Sequence, residues 1–340
     1  MTRLTREETA GAGEVLVAVA GCGVCHTDLG FFSGSVPTRK PLPLTLGHEI
    51  SGTVAQAGPG AEEWQGRRVV VPAVLPCGEC AACRAGRGQV CPKQIFPGND
   101  VHGGFATHVR VPARGLCAVP DARPGAPGPD LASLSVIADA VSTPYQAILR
   151  SGLAPGDLAV FVGVGGVGGF GVQIASALGA RVVAIDVNEE RLAAMAGHGA
   201  ALSLDARGAD AKQLRRKVRE LGDAHGIPTW RTRIFETSGT PAGQATAFGL
   251  LGPGSLLSIV GFTPKTVELR LSNLMAFDAT AQGNWGCLPE HYPAVVDLVL
   301  AGKVALVPFV EKRPLHEINQ VFAELSEGRG SRRIVLVPEE

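Results

Sequence analysis

Three groups of residues in this chain combine types and spacings that carry chemistry. Cys77, Cys80, Cys83 and Cys91 form C-x2-C-x2-C-x7-C. Four thiolates make a closed tetrahedral shell, which suits a structural zinc and leaves no open position for catalysis. Gly78, Gly86 and Gly88 let such a loop wrap an ion, and an iron–sulfur cluster is the weaker rival for the same thiols. The second group is Cys25-His26-Thr27-Asp28, followed further on by Gly47-His48-Glu49. Cys and His are good zinc ligands, and a catalytic zinc needs one more ligand plus an open position. Taken alone, His48 reads as a hydrogen-bonded structural histidine and Cys25 as core. The cysteine lobe and the third group make ligation the better reading. That third group, Gly163-Val164-Gly165-Gly166-Val167-Gly168, is G-x-G-x-x-G between an apolar run and a helical one. A second apolar run ends at Asp186, 23 positions after Gly163. The glycines let backbone N–H groups at a helix N-terminus approach a pyrophosphate. Asp186 can accept both ribose hydroxyls, and its charge repels a 2′-phosphate, which points to NAD rather than NADP.

The elements that must position these groups follow from periodicity. Runs at 14–20, 50–57 and 67–74 predict strands among Gly and Pro punctuators, as in an irregular β-rich domain. Residues 75–98 read as a loop lobe and 120–130 as a surface connection. From residue 142 the character changes to helix, strand at 158–164, helix at 170–180 and strand at 181–186, then helix and a short strand. Strands follow at 233–239 and 255–261, and this alternation implies a parallel sheet. A helix at 290–302 and a last strand at 332–338 close the chain. The expected organisation is a β-rich domain over 1–140 carrying the lobe, a dinucleotide-binding domain over 141–282, and a return to the first domain over 283–340.

Composition bounds the function. The chain has 340 residues, with 31 basic and 31 acidic side chains. Zero net charge argues against a nucleic-acid partner, and 45% hydrophobic with 18% charged residues excludes disorder. Eight Cys are too sparse for a disulfide scaffold. The N-terminus lacks the apolar core of a signal peptide. Residues 158–180 carry no charge, yet their period changes midway, so they predict strand, turn and helix rather than a membrane span. The expectation is a soluble, cytoplasmic protein.

The order CGVCHTD, GHE, the four-cysteine spacing, and GVGGVG with a later Asp resembles the zinc-dependent medium-chain alcohol dehydrogenases over nearly the whole chain. The resemblance implies an α/β protein: a GroES-like catalytic domain and a Rossmann domain with a doubly wound parallel sheet, the active site lying between them. It also implies NAD, one catalytic and one structural zinc per chain, oxidation of a small alcohol, and a homodimer or homotetramer. Cys25 and His48 become catalytic zinc ligands. The third ligand in that family precedes the Rossmann domain and is usually Cys, sometimes an acid. In the stretch Ala138-Asp139-Ala140-Val141-Ser142-Thr143 the candidate is Asp139. The resemblance makes Glu49 a neighbouring carboxylate or transient ligand, and Thr27 the hydroxyl that takes the substrate proton. It sets His26 beside the cofactor pyrophosphate, Arg191 beside the adenosine ribose, and Arg333 against the cofactor phosphates. Gly163, Gly165, Gly166, Val167 and Gly168 form the cofactor turn.

Two features depart from the family pattern. Many members end their proton relay on a His where this chain has Gly30, so the relay ends on water or another group. Cys25 also comes early, and the usual first strand has no clear match. Five stretches, AGCGVCHTDLGF, PGND, ADAVSTPYQA, RLSNLMAF and GNWGCLPE, are similar to members acting on a cyclic hydroxyacyl-CoA thioester in anaerobic aromatic degradation. For the CoA phosphates, Lys212, Arg215, Arg216, Lys217, Arg219, Arg231 and Arg233 face only Glu220 and Asp223 across 211–233, although a solvated helix face is the plainer reading. Arg39 and Lys40 are a rival site, and Asn284 and Trp285 could shape a substrate pocket. The competing functions are a dehydrogenase of simple alcohols and a non-catalytic zinc-binding interaction protein. The neutral charge and the dinucleotide fingerprint oppose the latter.

Overall fold

Alternating valines start the first sheet of the structure, a computed structural model that describes Met1 and residues 8–120, 128–330 and 332–339. In β1 (Glu14–Gly23), Val15, Val17 and Val19 are buried while the residues between them are half-buried. That period of two is what a one-sided strand requires. β2 (Glu49–Ala57), β3 (Arg68–Val71), β4 (His108–Pro112) and β5 (Cys117–Ala118) follow. The middle of the chain supplies β6 (Leu158–Val162), β7 (Arg181–Asp186), β8 (Ala200–Asp205), β9 (Thr232–Glu236), β10 (Leu256–Ile259) and β11 (Thr280–Gly283). β12 (Val310–Pro314) and β13 (Arg333–Val337) close it. Residues 121–127 of the expected surface connection lie outside the described residues.

The first sheet runs β12-β13-β1-β2-β3-β5, with β4 also on β1. Its pairs are antiparallel except β12 with β13. Val17, Ile50, Val54, Val69, Val111 and Leu336 form its core. The second sheet runs β11-β10-β9-β6-β7-β8, every pair parallel. β6 is buried at each position, as strands covered on both faces must be. Phe161 of β6 stacks on Phe235 of β9 with ring centroids 4.7 Å apart. The sheet order reverses beside β6, and the carboxyl ends at such a switch point are where doubly wound sheets bind ligands. By internal packing the chain divides into one unit of 1–142, 286–302 and 306–340 and another of 143–285 and 303–305.

The uncharged run at 158–180 breaks at Gly163 into β6 and the helix Gly168–Ala177. Among the described residues no helix is long and apolar enough to cross a membrane. The sequence did not show β4, β11, β12 or the helices His26–Ser33 and Ile318–Ser326. β12 (VEKRP) and β11 (TAQG) are mostly polar and edge-placed, so pairing rather than periodicity makes them strands.

Four of the seven cations of the basic segment make ion pairs. Arg216 meets Glu220 at 3.5 Å and Arg219 meets Asp223 at 3.9 Å along the helix Ala211–Ala224. Arg231 and Arg233 turn instead to buried Asp157, whose carboxylate lies 2.5 Å from Arg231 Nε and 3.9 Å from Arg233 Nη2, and also accepts the Ala154 N–H. The exposed pairs along the helix accord with the plainer reading of a solvated face, and Arg231 and Arg233 are drawn away from the phosphate-binding alternative. The cations at 231 and 233 serve the fold. Asp157→Ala is expected to cost about 2 kcal/mol, a buried-pair loss discounted for the part-exposed Arg231. A thermal melt unchanged from wild type would contradict that role.

Candidate active site and structural metal lobe

The four lobe thiols come together without bonding to one another covalently. All eight cysteines are free. The sulfurs of Cys77, Cys80, Cys83 and Cys91 lie within 4.8 Å of one another. The separations are 3.5 Å for Cys80–Cys83, 3.7 Å for Cys80–Cys91 and 3.9 Å for Cys77–Cys83. A tetrahedron with Zn–S bonds of about 2.3 Å has edges of about 3.8 Å, so the donors fit zinc. Backbone N–H groups of Cys77 and Lys93 point at the Cys91 sulfur. The Glu79 N–H pulls the Cys77 thiol down to about 6, and the Cys83 N–H lowers Cys80. Desolvation and the neighbouring sulfurs push Cys83 up to about 12. A dication is what allows all of them to ionise together.

The second donor set gathers at the ends of β1 and β2. Their register pairs Gly23 with Glu49, which brings Cys25 and His48 side by side. A Cβ on Gly23 would stand 2.0 Å from Glu49 Oε2, so only glycine leaves room for that carboxylate. The short helix Ser133–Ala138 delivers Asp139 from elsewhere in the chain. Asp139 Oδ2 lies 3.5 Å from His48 Nε2 and 3.8 Å from Cys25 Sγ. Sulfur, imidazole nitrogen and carboxylate oxygen at these separations suit one tetrahedral zinc with a position left over. His48 is 1% exposed and Asp139 is 18% exposed, so the Asp139 side is the open one. Thr27 Oγ1, at the start of the helix His26–Ser33, lies 3.7 Å from Cys25 Sγ.

Asp28 is the residue that sequence reasoning missed. It is fully buried, accepts the N–H groups of Cys25 at 2.9 Å and Gly47 at 3.2 Å, and lies 3.2 Å from His48 Nδ1. One carboxylate thereby joins both ligand segments and turns Nε2 toward the other donors. The available signal was its place three residues after the helix N-cap Cys25, where an acid reaches back to the cap N–H. Burial alone would push the His48 imidazole down. The Asp28 charge, with hydrogen bonds to Asp139, Asp28 and Cys25, raises it well above the ordinary range instead.

Glu49 is bound by other partners. Its two oxygens take Nε and Nη2 of Arg333, the former at 3.0 Å, and Oε1 also accepts the Ala140 N–H. Arg333 is buried in this pair, and although burial opposes its charge, Glu49 keeps it protonated. The contact seen for Arg333 is therefore with Glu49.

At the dinucleotide turn, Gly163 has φ of 88°, and a Cβ on Gly168 would stand 1.9 Å from the Gly163 carbonyl, so both positions require glycine. Val167 caps the helix that follows. Thr237 Oγ1 donates to the Gly163 carbonyl at 2.6 Å and ties the turn to β9, a contact no motif announced. Asp186 accepts the N–H groups of Val164, Val187 and Asn188 at the end of β7. A Cβ on Gly165 would stand 3.5 Å from Arg191 Nη1, which sets that guanidinium against the turn. The cradle fits a dinucleotide pyrophosphate, with Asp186 next to it.

The remaining candidates scatter. His26 is exposed at the first turn of its helix. Arg39 pairs with Asp100 at 3.2 Å, and Asn99 accepts the Arg39 and Lys40 N–H groups, so PGND serves to fold that loop. Asn284 accepts from Arg150 and donates to the Thr143 carbonyl, which is a structural use. A side chain at Gly30 would press on Val36, with a Cβ 3.0 Å from its methyl carbon.

A parallel sheet with a glycine turn at its switch point, together with donors for two metal ions, defines a metal-dependent pyridine-nucleotide oxidoreductase. Residues 11–121 match the family described as alcohol dehydrogenase GroES-like domain, and residues 166–301 match the zinc-binding dehydrogenase family. The chain belongs to the zinc-dependent medium-chain alcohol dehydrogenases, and its cofactors are zinc and NAD. It is 31% identical over 327 residues to an alcohol dehydrogenase of Geobacillus stearothermophilus, spanning 95% of this chain and 91% of that protein. It is 30% identical to the 2-dehydro-3-deoxy-L-galactonate 5-dehydrogenase of Pseudoalteromonas atlantica, spanning 92% of this chain and 88% of that protein. The crystal structure of the alcohol dehydrogenase of Aeropyrum pernix superposes with a TM-score of 0.86 at 30% identity, over 99% of this chain and 96% of that one.

Two outcomes follow for the metals. Cys77→Ser is expected to leave one zinc per chain in place of two and to lower the melting temperature, and full zinc content in the variant would contradict the lobe assignment. Ligation needs a neutral His48, and the folded site holds a proton on it more tightly than a free imidazole does. Metal retention at the second site is thus expected to fall on acidification from about pH 8 to about pH 6. Zinc content after dialysis across that range measures it, and a flat profile speaks against His48 as a ligand.

Proposed function

We propose that this chain oxidises a secondary alcohol to a ketone with NAD, using Cys25, His48 and Asp139 as the ligands of a catalytic zinc. The observation that carries this reading is the convergence of one thiol, one imidazole and two carboxylates, of which Glu49 is taken by Arg333 and Asp139 is the more exposed. A zinc ion there supplies Lewis-acid polarisation that makes a bound hydroxyl more acidic. NAD at the glycine turn supplies the hydride acceptor. Thr27 accepts the substrate proton and passes it outward. With Gly30 next on the relay, water is the receiver. Asp28 orients His48, and Arg333 balances Glu49 beside the donors. Asp186 and Arg191 hold the adenosine ribose, the turn at 163–168 holds the pyrophosphate, and His26 approaches it. A contact of Arg333 with the cofactor phosphates remains part of the proposal.

The finer reading is 6-hydroxycyclohex-1-ene-1-carbonyl-CoA, oxidised to the 6-oxo thioester in anaerobic benzoyl-CoA degradation. Its support is the five stretches similar to the dehydrogenase of that compound, from AGCGVCHTDLGF to GNWGCLPE. Arg231 and Arg233, engaged by Asp157, lend it no support. The alternative is a simple aliphatic or cyclic alcohol, supported by the relatives named alcohol dehydrogenases. We also propose a homodimer or homotetramer, since β11 leaves an open sheet edge beside exposed Leu271 and Met275. Eight cysteines with no disulfide among them favour the cytoplasm as its location.

NADH formation with cyclohexanol, aliphatic alcohols and the hydroxyacyl-CoA thioester separates the substrates. Wild-type enzyme is expected to turn over at least one of them. Cys25→Ser and Asp139→Ala are expected to lose turnover by about 1000-fold or more while keeping the fold. Wild-type rates in either variant would overturn the ligand assignment.

A further inference from the structure

Asp139 is flanked by a clamp on each adjoining peptide. On the far side the Ala140 N–H donates to Glu49 at 3.2 Å, and Glu49 is held by Arg333. On the near side the Ala138 carbonyl ends the helix Ser133–Ala138. Carbonyls at a helix end lack partners within the helix, and Ala138 is 0% exposed. The Tyr292 hydroxyl donates to that carbonyl at 2.5 Å. It accepts Ser142 Oγ at 3.2 Å and the Ala73 N–H at 3.3 Å. Ser142 Oγ also lies 3.3 Å from the same carbonyl. Tyr292 is 0% exposed, and desolvation keeps its phenol protonated and therefore a donor. Asp139 itself has φ of −142° and ψ of −59°, outside the helix and strand regions. Neither a helix nor a strand ladder then determines where its side chain points.

We propose that the Tyr292 hydroxyl is a positioning group for the catalytic metal: by fixing the Ala138 carbonyl it aims the Asp139 carboxylate at Cys25 and His48. The inference rests on Asp139 as the third donor. Tyr292 belongs to none of the sequence motifs and reaches the site only through the backbone.

The test uses full-length protein with cobalt at the catalytic position and zinc in the lobe. Tyr292→Phe removes one oxygen, and the Ala73 N–H still reaches the Ala138 carbonyl at 3.3 Å. Expected are release of the catalytic cobalt to a chelator faster by about 10-fold or more, a shifted visible cobalt band, and unchanged release from the lobe. Asp139→Ala is the control and is expected to lose the cobalt band. If that control loses cobalt while Tyr292→Phe keeps the wild-type spectrum and release rate, the positioning role is overturned and the Asp139 ligand stands. A wild-type spectrum and release rate in Asp139→Ala overturns the ligand and the inference with it. If Tyr292→Phe does not fold, Tyr292→Met, which likewise lacks the hydroxyl but adapts its packing, takes its place, with release expected to quicken by about 10-fold or more. An unchanged rate in that variant overturns the proposal.

Discussion

Three carboxylates and a thiol are gathered at one end of β1 and β2, and the first unit is organised around compensating them. Asp28 and Glu49 are fully buried, and Asp139 stands beside Cys25 and His48. Left alone, such a set would repel itself or take up protons. Each member instead has an assigned partner. Asp28 receives two backbone N–H groups and faces the His48 ring, and Glu49 receives the Arg333 guanidinium and the Ala140 N–H. Asp139 keeps the more exposed position and is the carboxylate left to face a metal. Discrimination among three chemically similar acids is therefore made by their hydrogen bonds.

The two sets of metal-ligating side chains are assembled in different ways. The lobe closes four thiols from a stretch of fifteen residues and needs little help beyond local turns. The second site joins segments 114 residues apart, Cys25 and Asp139, and must keep one side open. Local closure gives a saturated shell suited to stability. Long-range assembly gives an incomplete shell, which is the kind a catalytic zinc uses to take a substrate oxygen. Around it lie Asp28, the Glu49–Arg333 pair and the hydrogen-bonded Tyr292 hydroxyl, beside donors that no local turn constrains.

In the second unit the same economy appears at the switch point of the parallel sheet. Gly163 and Gly168 allow the turn, Thr237 ties it to the neighbouring strand, and Asp186 closes the next strand. The cations at 231 and 233 lock Asp157 at the opposite, amino-terminal ends of the strands. Two of the basic residues of that segment are thus spent on the fold.

The sequence by itself determined what short spacing can determine. The cysteine lobe, the glycine turn with Asp186, the alternating valines of β1 and the apolar β6 and β7 were all legible, because neighbours along the chain set their geometry. Cys25 and His48 were legible as a pair through their motifs. Asp139 entered through resemblance, and only the folded chain brings it to 3.5 Å from His48 Nε2. The tertiary structure alone decided that Asp28 joins both ligand segments, that Arg333 meets Glu49 from 284 residues away, that Arg231 and Arg233 belong to Asp157, and that Tyr292 reaches the Ala138 carbonyl. The physical reason is the same in each case. A buried charge or carbonyl takes whatever partner the packing brings near, and that partner lies at a sequence distance that no periodicity or spacing encodes.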